Sequence, residues 1–101
     1  MSANPGVERM QLGHAARKAG RAAEALDHYR SAVELEPGSA ELQSVYGLML
    51  LQLGRAAEAE APLRKAVAIA PAHPAVRMNL AQWHTQQGNL DEALKVMKVD
   101  L

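Results

Sequence analysis

The hexapeptide Gly-Arg-Ala-Ala-Glu-Ala occupies residues 20–25 and recurs letter for letter at residues 54–59. A third copy, Gly-Asn-Leu-Asp-Glu-Ala, follows at residues 88–93 and keeps the glycine, the glutamate and the final alanine. Successive copies begin 34 residues apart. A fixed spacing of this size is typical of repeat proteins, in which each copy builds one supersecondary unit.

The composition favours helices over strands. Hydrophobic residues make up 49% of the 101 residues, yet only three residues are aromatic and none is phenylalanine. Most of the apolar residues are Ala, Leu, Val and Met, which helices accept well, and runs that favour β-structure are few. We therefore expect an all-α protein, large enough to bury a core without a metal ion or a disulfide.

The balanced charge, and a sequence without a signal or membrane-spanning segment, argue against several kinds of partner. The 11 basic residues balance the 11 acidic ones, so no global field would attract nucleic acid or an anionic membrane. Residues 1–6 carry no basic segment followed by an apolar run, and no apolar stretch approaches the roughly 20 residues that span a bilayer. With no cysteine, thiolate chemistry is excluded. We expect a cytoplasmic protein with no nucleic-acid or membrane partner.

Turn residues divide the chain into about six helices. Asn4 and Ser39 are typical N-cap residues, and Asn89 with Glu92 resembles a capping box. The third helix is apolar around most of its circumference, which indicates the buried centre of the domain. The expected helices run from Pro5 to Gly20, from about 22 to 35, from Ser39 to Gly54, from about 56 to 69, from Pro74 to Gly88, and onward from Asn89, the last about one turn short of the period.

Residues 34 positions apart also share a size. Small residues recur where two antiparallel helices would cross closely, and large ones recur where repeats would meet: Gly13, Gly47 and Ala81, then Tyr29, Leu63 and Met97. This period and pattern resemble the tetratricopeptide repeat, whose helix–turn–helix units stack into a right-handed superhelix. The resemblance implies a single domain over residues 1–101, with repeats at about 6–39, 40–73 and a truncated third at 74–101.

Two departures from the family pattern affect local packing. The large aromatic residue that the family has early in each first helix is replaced by Arg9, Gln43 and Arg77. Trp83 stands where the earlier repeats have Ala15 and Met49, so we expect the last repeat to pack around a bulkier side chain.

In the family, the first helix of each repeat lines a concave groove that receives an extended or helical peptide. The resemblance therefore implies a non-catalytic protein-interaction module whose partner is a protein or peptide. Carried over to the matching positions, the groove consists of Val7, Met10, His14, Arg17, Ser44, Leu48, Leu51, Met78, Asn79 and Gln82. One subclass grips the carboxylate tails of chaperones with lysine, asparagine and arginine. Of the matching positions here only Asn79 fits, so that activity is not expected.

The expected groove is apolar in its middle, basic near Arg17 and rich in amides at the other end. We expect it to bind an apolar or amphipathic segment, with methionines as an adaptable lining. The alternative is that Leu48 and Leu51 pack against neighbouring helices, because a leucine stripe is more often core than site.

Motifs for catalysis, metal binding and cofactor binding are missing from the sequence. The four histidines do not pair at helical spacing, and there is no glycine-rich phosphate loop or nucleophile elbow. We expect no enzyme activity, cofactor or metal. Two other interpretations stay open. The chain could be a structural unit that self-associates through its C-terminal helix, where Leu94, Val96 and Met97 could support another layer, or an accessory domain of a larger enzyme such as a transferase.

Overall fold

The computed structural model describes residues 4–98, which form six α-helices and no strand. Their bounds are α1 Pro5–Lys18, α2 Ala22–Leu35, α3 Ala40–Gln52, α4 Ala56–Ile69, α5 Pro74–Gln86 and α6 Leu90–Met97. Each odd-numbered helix packs against the next helix to form the first, second and third hairpins. The predicted all-α architecture is confirmed, and the part of the expected sixth helix after residue 98 lies outside the described residues.

The helix starts follow the capping residues of the sequence. The Oδ1 atom of Asn4 accepts hydrogen bonds from the backbone N–H groups of Gly6 at 3.0 Å and Val7 at 3.2 Å. Ser39 Oγ accepts from Leu42 N at 3.3 Å. Each bond satisfies an N–H group that a helix leaves free in its first turn, which explains why α1 and α3 begin there.

The predicted capping box at α6 is only half formed. Asn89 Oδ1 accepts from the backbone N–H of Glu92 at 3.4 Å, as expected. The Glu92 carboxylate does not bond back to Asn89, because it accepts from Lys95 Nζ at 3.3 Å. The Asn89 N–H donates instead to the carbonyl of His84 at 2.9 Å. The last turn of α5 thus supplies the acceptor that the glutamate would have provided.

Glycine closes all three hairpins in the same way. Gly20, Gly54 and Gly88 have φ values of +79°, +78° and +77°, in the left-handed region that side chains disfavour. The residue after each glycine donates to a carbonyl five positions back, at 2.8–2.9 Å, which is the Schellman pattern. The repeated hexapeptide therefore begins with the glycine that lets the chain reverse direction between the two helices of each hairpin.

Close crossing within a hairpin depends on residues without a side chain. A Cβ atom built at Gly13 would lie 2.5 Å from Tyr29 Cε1, and one at Gly47 would lie 2.6 Å from Leu63 Cγ. Both distances are too short for real atoms, so glycine lets α1 meet α2 and lets α3 meet α4. The prediction that small residues allow the close crossing is confirmed for these two hairpins. Tyr29 and Leu63, expected where repeats meet, pack against the glycine of their own hairpin.

Trp83 joins the second and third hairpins. Its Nε1–H donates to the carbonyl oxygen of Ala56 at 2.8 Å. The guanidinium of Arg64 lies 5.7 Å from the centre of the indole ring, within the range of a cation–π contact. The bulkier residue of the last repeat thus packs against α4 of the preceding hairpin.

Two of the three polar residues in place of the family's aromatic side chains, Gln43 and Arg77, bond to backbone carbonyls. Gln43 is buried, and its Nε2 donates to Pro37 O at 2.8 Å. Arg77 Nε donates to Val96 O at 2.7 Å, and its terminal nitrogen donates to Lys98 O. A cation at the C-terminus of α6 also opposes the negative end of the helix dipole.

Candidate functional site

The three first helices form the inner layer of the stack. Among the described residues, α1 contacts α3 and α3 contacts α5, whereas α2, α4 and α6 do not contact one another. Each second helix packs against the first helix of the next hairpin instead. Because the first helices lie closer together than the second helices, the stack curves with α1, α3 and α5 on its concave side.

A depression of about 160 Å³ lies on this side, between α3 and the start of α5. Its lining residues are Glu41, Ser44, Val45, His73, Ala75, Val76 and Asn79. The α3 members lie at helical spacings i, i+3 and i+4 and so share one face of the helix. Leu48, four residues after Ser44, continues that face and is half-buried.

One hydrogen bond joins two of the residues that line this depression. Asn79 Nδ2 donates to Ser44 Oγ at 2.6 Å and links the third hairpin to the second. Ser44 is buried by the contact, whereas Asn79 is half-buried. The bond uses one of the two amide hydrogens of Asn79 and orients the amide beside the apolar side chains of Val45 and Val76.

Leu51 and Met10 do not belong to an accessible groove. The exposed fractions of their side chains are 3% and 9%, and both lie in the hydrophobic core. The expectation that they line the binding surface is wrong, and for Leu51 the alternative of helix packing is correct. Since α3 contacts α1, α2, α4 and α5, almost every side of this helix is covered.

Met78 lies on a different surface from the Ser44–Asn79 depression. It lines a second depression of about 260 Å³ together with Ala72, Pro74, Arg77 and Met97, between α5 and α6. The structure therefore separates Met78 from the expected apolar middle of the groove. Gln82, one turn after Asn79, is exposed.

At the first hairpin, His14 is bound to Tyr29. The His14 Nδ1 and Tyr29 Oη atoms are 2.6 Å apart, and the rings meet edge to face at 5.4 Å. Burial, reinforced by the nearby charge of Arg17 and opposed by Glu41, lowers the pKa of His14 below its usual 6.5. Burial likewise raises the pKa of Tyr29. A neutral imidazole and a neutral phenol are compatible with this bond, so His14 connects α1 with α2.

The remaining expected residues at this end are Val7 and Arg17. Val7 is half-buried and packs against the core, whereas Arg17 is exposed in the last turn of α1. Arg17 and the neighbouring Lys18 provide positive charge at this end of the inner layer.

His73 is a lining residue that the sequence did not single out as a site residue. It precedes Pro74 and stands at the N-cap of α5, where its backbone carbonyl accepts from Arg77 N at 3.1 Å. The 34-residue register aligns His73 with the N-cap residue Ser39, and this alignment is the signal that could have placed it beside the groove.

The described part of the chain brings together no group of three His, Cys, Asp or Glu residues that could hold a metal ion. No helix within residues 4–98 is long and apolar enough to cross a membrane.

Comparison with known proteins supports the same family as the repeat pattern. Two tetratricopeptide repeat family models match the chain, over residues 10–74 and 50–99. The chain is also 33% identical over 72 residues to mouse interferon-induced protein with tetratricopeptide repeats 3. The match covers 71% of this chain but only 18% of that relative.

Solved structures share the fold. The first TPR of Spaghetti (RPAP3) bound to the HSP90 peptide SRMEEVD has a TM-score of 0.85 at 21% identity, covering 95% of this chain and 78% of that one. YrrB, described as a TPR protein with an unusual peptide-binding site, has a TM-score of 0.81 at 24% identity, covering 95% of this chain and 48% of that one. With two family models spread along its helical hairpins, the chain belongs to the tetratricopeptide repeat family.

Proposed function

We propose that this chain is a non-catalytic protein-interaction module that binds an apolar or amphipathic peptide segment on its concave side. The observation that carries the proposal is the depression between α3 and α5, where the Asn79 amide is held beside apolar side chains. Structurally similar repeats are described as peptide-bound or peptide-binding proteins, which supports a peptide as the class of ligand.

The size of the depression favours one side chain of a peptide over a small-molecule ligand. Its volume of about 160 Å³ lies below the roughly 300 Å³ at which small-molecule sites usually begin. Val45 and Ala75, which are half-buried and exposed, offer apolar contact to an aliphatic side chain. The free hydrogen and the oxygen of the Asn79 amide can bond to the backbone of the same peptide.

The charges around the depression favour one orientation of the peptide. Arg17 and Lys18 lie at the C-terminal end of α1, and Glu41 lies on the rim near α5. An acidic residue of the ligand would be attracted toward the first hairpin, and a basic residue toward Glu41. Because such exposed charges are screened by salt, they set orientation more than affinity.

The chaperone tail SRMEEVD is not the ligand that we propose. Positions where the carboxylate-binding subclass has lysine, asparagine or arginine are occupied here by Met10, His14, Val45 and Ala75. Met10 is in the core and His14 is bound to Tyr29, so neither presents a fixed positive charge. Only Asn79 is suited to that role.

Selection from a random peptide display library on the wild-type chain tests the proposal. The selected peptide is then titrated by calorimetry against Leu48→Glu and Asn79→Ala. Leu48→Glu should weaken binding at least about 30-fold, since it places a charge one turn after the apolar Val45 on α3. Asn79→Ala should weaken it about 5-fold through the lost amide bonds.

The matched control is Leu35→Glu, because Leu35 is exposed at the end of α2 and does not line the depression. It should bind like the wild type. Equal affinity for Leu48→Glu and Leu35→Glu, with the helix content of both retained by circular dichroism, would contradict the groove assignment. Leu51→Glu is not a usable variant, because Leu51 lies in the core.

A further inference from the structure

Four large apolar side chains of the third hairpin are exposed on its outer end. The exposed fractions are 54% for Met78, 61% for Leu90, 60% for Leu94 and 42% for Met97. Leu90, Leu94 and Met97 follow one face of α6 at i, i+4 and i+7, and Met78 and Met97 line the same 260 Å³ depression. These four residues are called the end face here.

The repeat register explains why the end face is apolar. The residues 34 positions earlier are Ser44, Ala56, Glu60 and Leu63, and in the second hairpin all four are buried or half-buried. Ser44 and Ala56 accept their hydrogen bonds from Asn79 and Trp83 of the following hairpin. The end face is therefore the surface on which a next layer would stack, and nothing within residues 4–98 covers it.

The first hairpin is a poor candidate for that next layer. Leu42 on α3 and Val76 on α5 occupy equivalent positions, 34 residues apart. Both side chains are buried in the stack, each with an exposed fraction of 2%. The position 34 residues before Leu42 is Glu8, which is exposed. Placing α1 of another copy on the end face would bury this carboxylate without a partner, and an unpaired buried charge is costly.

The charges beside the end face match a second copy of the same surface. On α6 the acidic residues Asp91 and Glu92 lie in the first turn, and Lys95 lies in the last turn, followed by Lys98 at the C-cap. Glu92 and Lys95 pair within α6 at 3.3 Å, and two α6 helices laid antiparallel across a two-fold axis would set Asp91 of each against Lys98 of the other. A parallel arrangement would oppose like charges.

We propose that two copies of this chain pair through their end faces, with the α6 helices antiparallel about a two-fold axis. Leu90, Leu94 and Met97 of each copy cover one another, and the acidic and basic halves of α6 form the rim. Such an interface is self-complementary and closes at the dimer. It uses a surface other than the depression between α3 and α5, so the concave sides of both copies stay free.

Sedimentation equilibrium of the purified 101-residue chain tests this pairing. The wild type should shift from monomer to dimer with concentration and go no further. Leu94→Glu should weaken the dimer at least about 100-fold, because the two-fold axis introduces the charge twice. Leu94 is exposed in the monomer, so the variant should keep its helix content.

Two control variants separate this arrangement from others. Leu35→Glu has a comparable exposed position away from the end face and should leave the dimer unchanged. Leu12→Glu alters an exposed residue of α1 and should also leave it unchanged. Dissociation caused by Leu12→Glu, growth into larger polymers, a wild type that stays monomeric at about millimolar concentration, or a dimer indifferent to Leu94→Glu would each overturn the proposal.

A charge reversal tests the antiparallel orientation. Asp91→Lys alone should weaken the dimer about 5-fold, since exposed rim pairs contribute little individually. Adding Lys98→Glu should restore most of the affinity if the two positions face each other across the axis. A double variant no tighter than Asp91→Lys alone would contradict the antiparallel arrangement.

Discussion

The second and third hairpins place equivalent residues in different surroundings. Leu63 on α4 has an exposed fraction of 0%, whereas Met97, its equivalent on α6, is 42% exposed. Likewise, the exposed fraction is 4% for Ser44 on α3 and 54% for its equivalent on α5, Met78. Met97 ends α6 whereas Leu63 lies inside α4, but Ser44 and Met78 occupy the same position within α3 and α5. Only the second hairpin is followed by another within the described residues. In a stacked protein, the neighbouring hairpin decides whether a position is core or surface.

The largest test of this comparison removes the same kind of contact from both hairpins. Leu63→Ala should lower the free energy of unfolding by about 3 kcal/mol, because it leaves a cavity beside Gly47. Met97→Ala, at the equivalent position, should cost less than about 1 kcal/mol. Urea denaturation of dilute protein measures both values. Equal losses of unfolding free energy for the two variants would contradict the claim that a neighbouring hairpin decides which of these positions is buried.

A second test changes the crossing point of the helices. Gly47→Ala should destabilise the chain by about 2 kcal/mol, because its Cβ would lie 2.6 Å from Leu63 Cγ and force the two helices apart. The third hairpin already has Ala81 at this position, so its crossing accommodates a methyl group. The opposite change, Ala81→Gly, should cost about 1 kcal/mol through helix propensity alone. A Gly47→Ala variant as stable as the wild type in the same denaturation experiment would contradict the close crossing.

A third test loosens the joint between the two hairpins. Trp83→Phe removes the bond from Nε1 to Ala56 O and should lower stability by about 1 kcal/mol. Hydrogen exchange should then quicken in α5 and α6 more than in α1 and α2, because the third hairpin loses its anchor. Uniform exchange changes across all three hairpins would mean that Trp83 does not act at this joint.

The smallest expected effect concerns the other end of the stack, at His14. Because the pKa of His14 is lowered in the folded chain, the unfolded chain binds its proton more readily. The stabilisation is present above the unfolded value of 6.5 and is lost as the pH falls through the folded pKa. Relative to His14→Gln, the wild type should therefore become less stable between about pH 7.5 and pH 5. Parallel thermal midpoints for the two proteins across this range would exclude a role for His14.

Much of the fold could be predicted because its signals are local. Asn4 and Ser39 cap helices through atoms two or three residues away, and Gly20 permits a turn through its own backbone. Gly13 and Gly47 were informative for a similar reason, since each repeats at a fixed distance from one large partner. Such features depend little on the number of hairpins that are present.

The candidate site was predicted less well because it depends on contacts between hairpins. Leu51 and Leu48 look alike in the sequence, yet Leu51 is in the core and Leu48 is half-buried. Met78 has the register position of Ser44 but lies on the outer end, where it meets Met97. The bond between Asn79 and Ser44 joins residues 35 positions apart, and no local pattern indicates it.

Chemical-shift mapping of the ¹⁵N-labelled chain with the selected peptide tests the central claim most directly. If the peptide binds between α3 and α5, the largest changes should fall on the amides of residues 41–48 and 75–82, with small changes at residues 90–97. The dissociation constant obtained from these chemical-shift changes should match the one measured by calorimetry. Changes centred on α6, with residues 41–48 unaffected, would contradict the concave binding site.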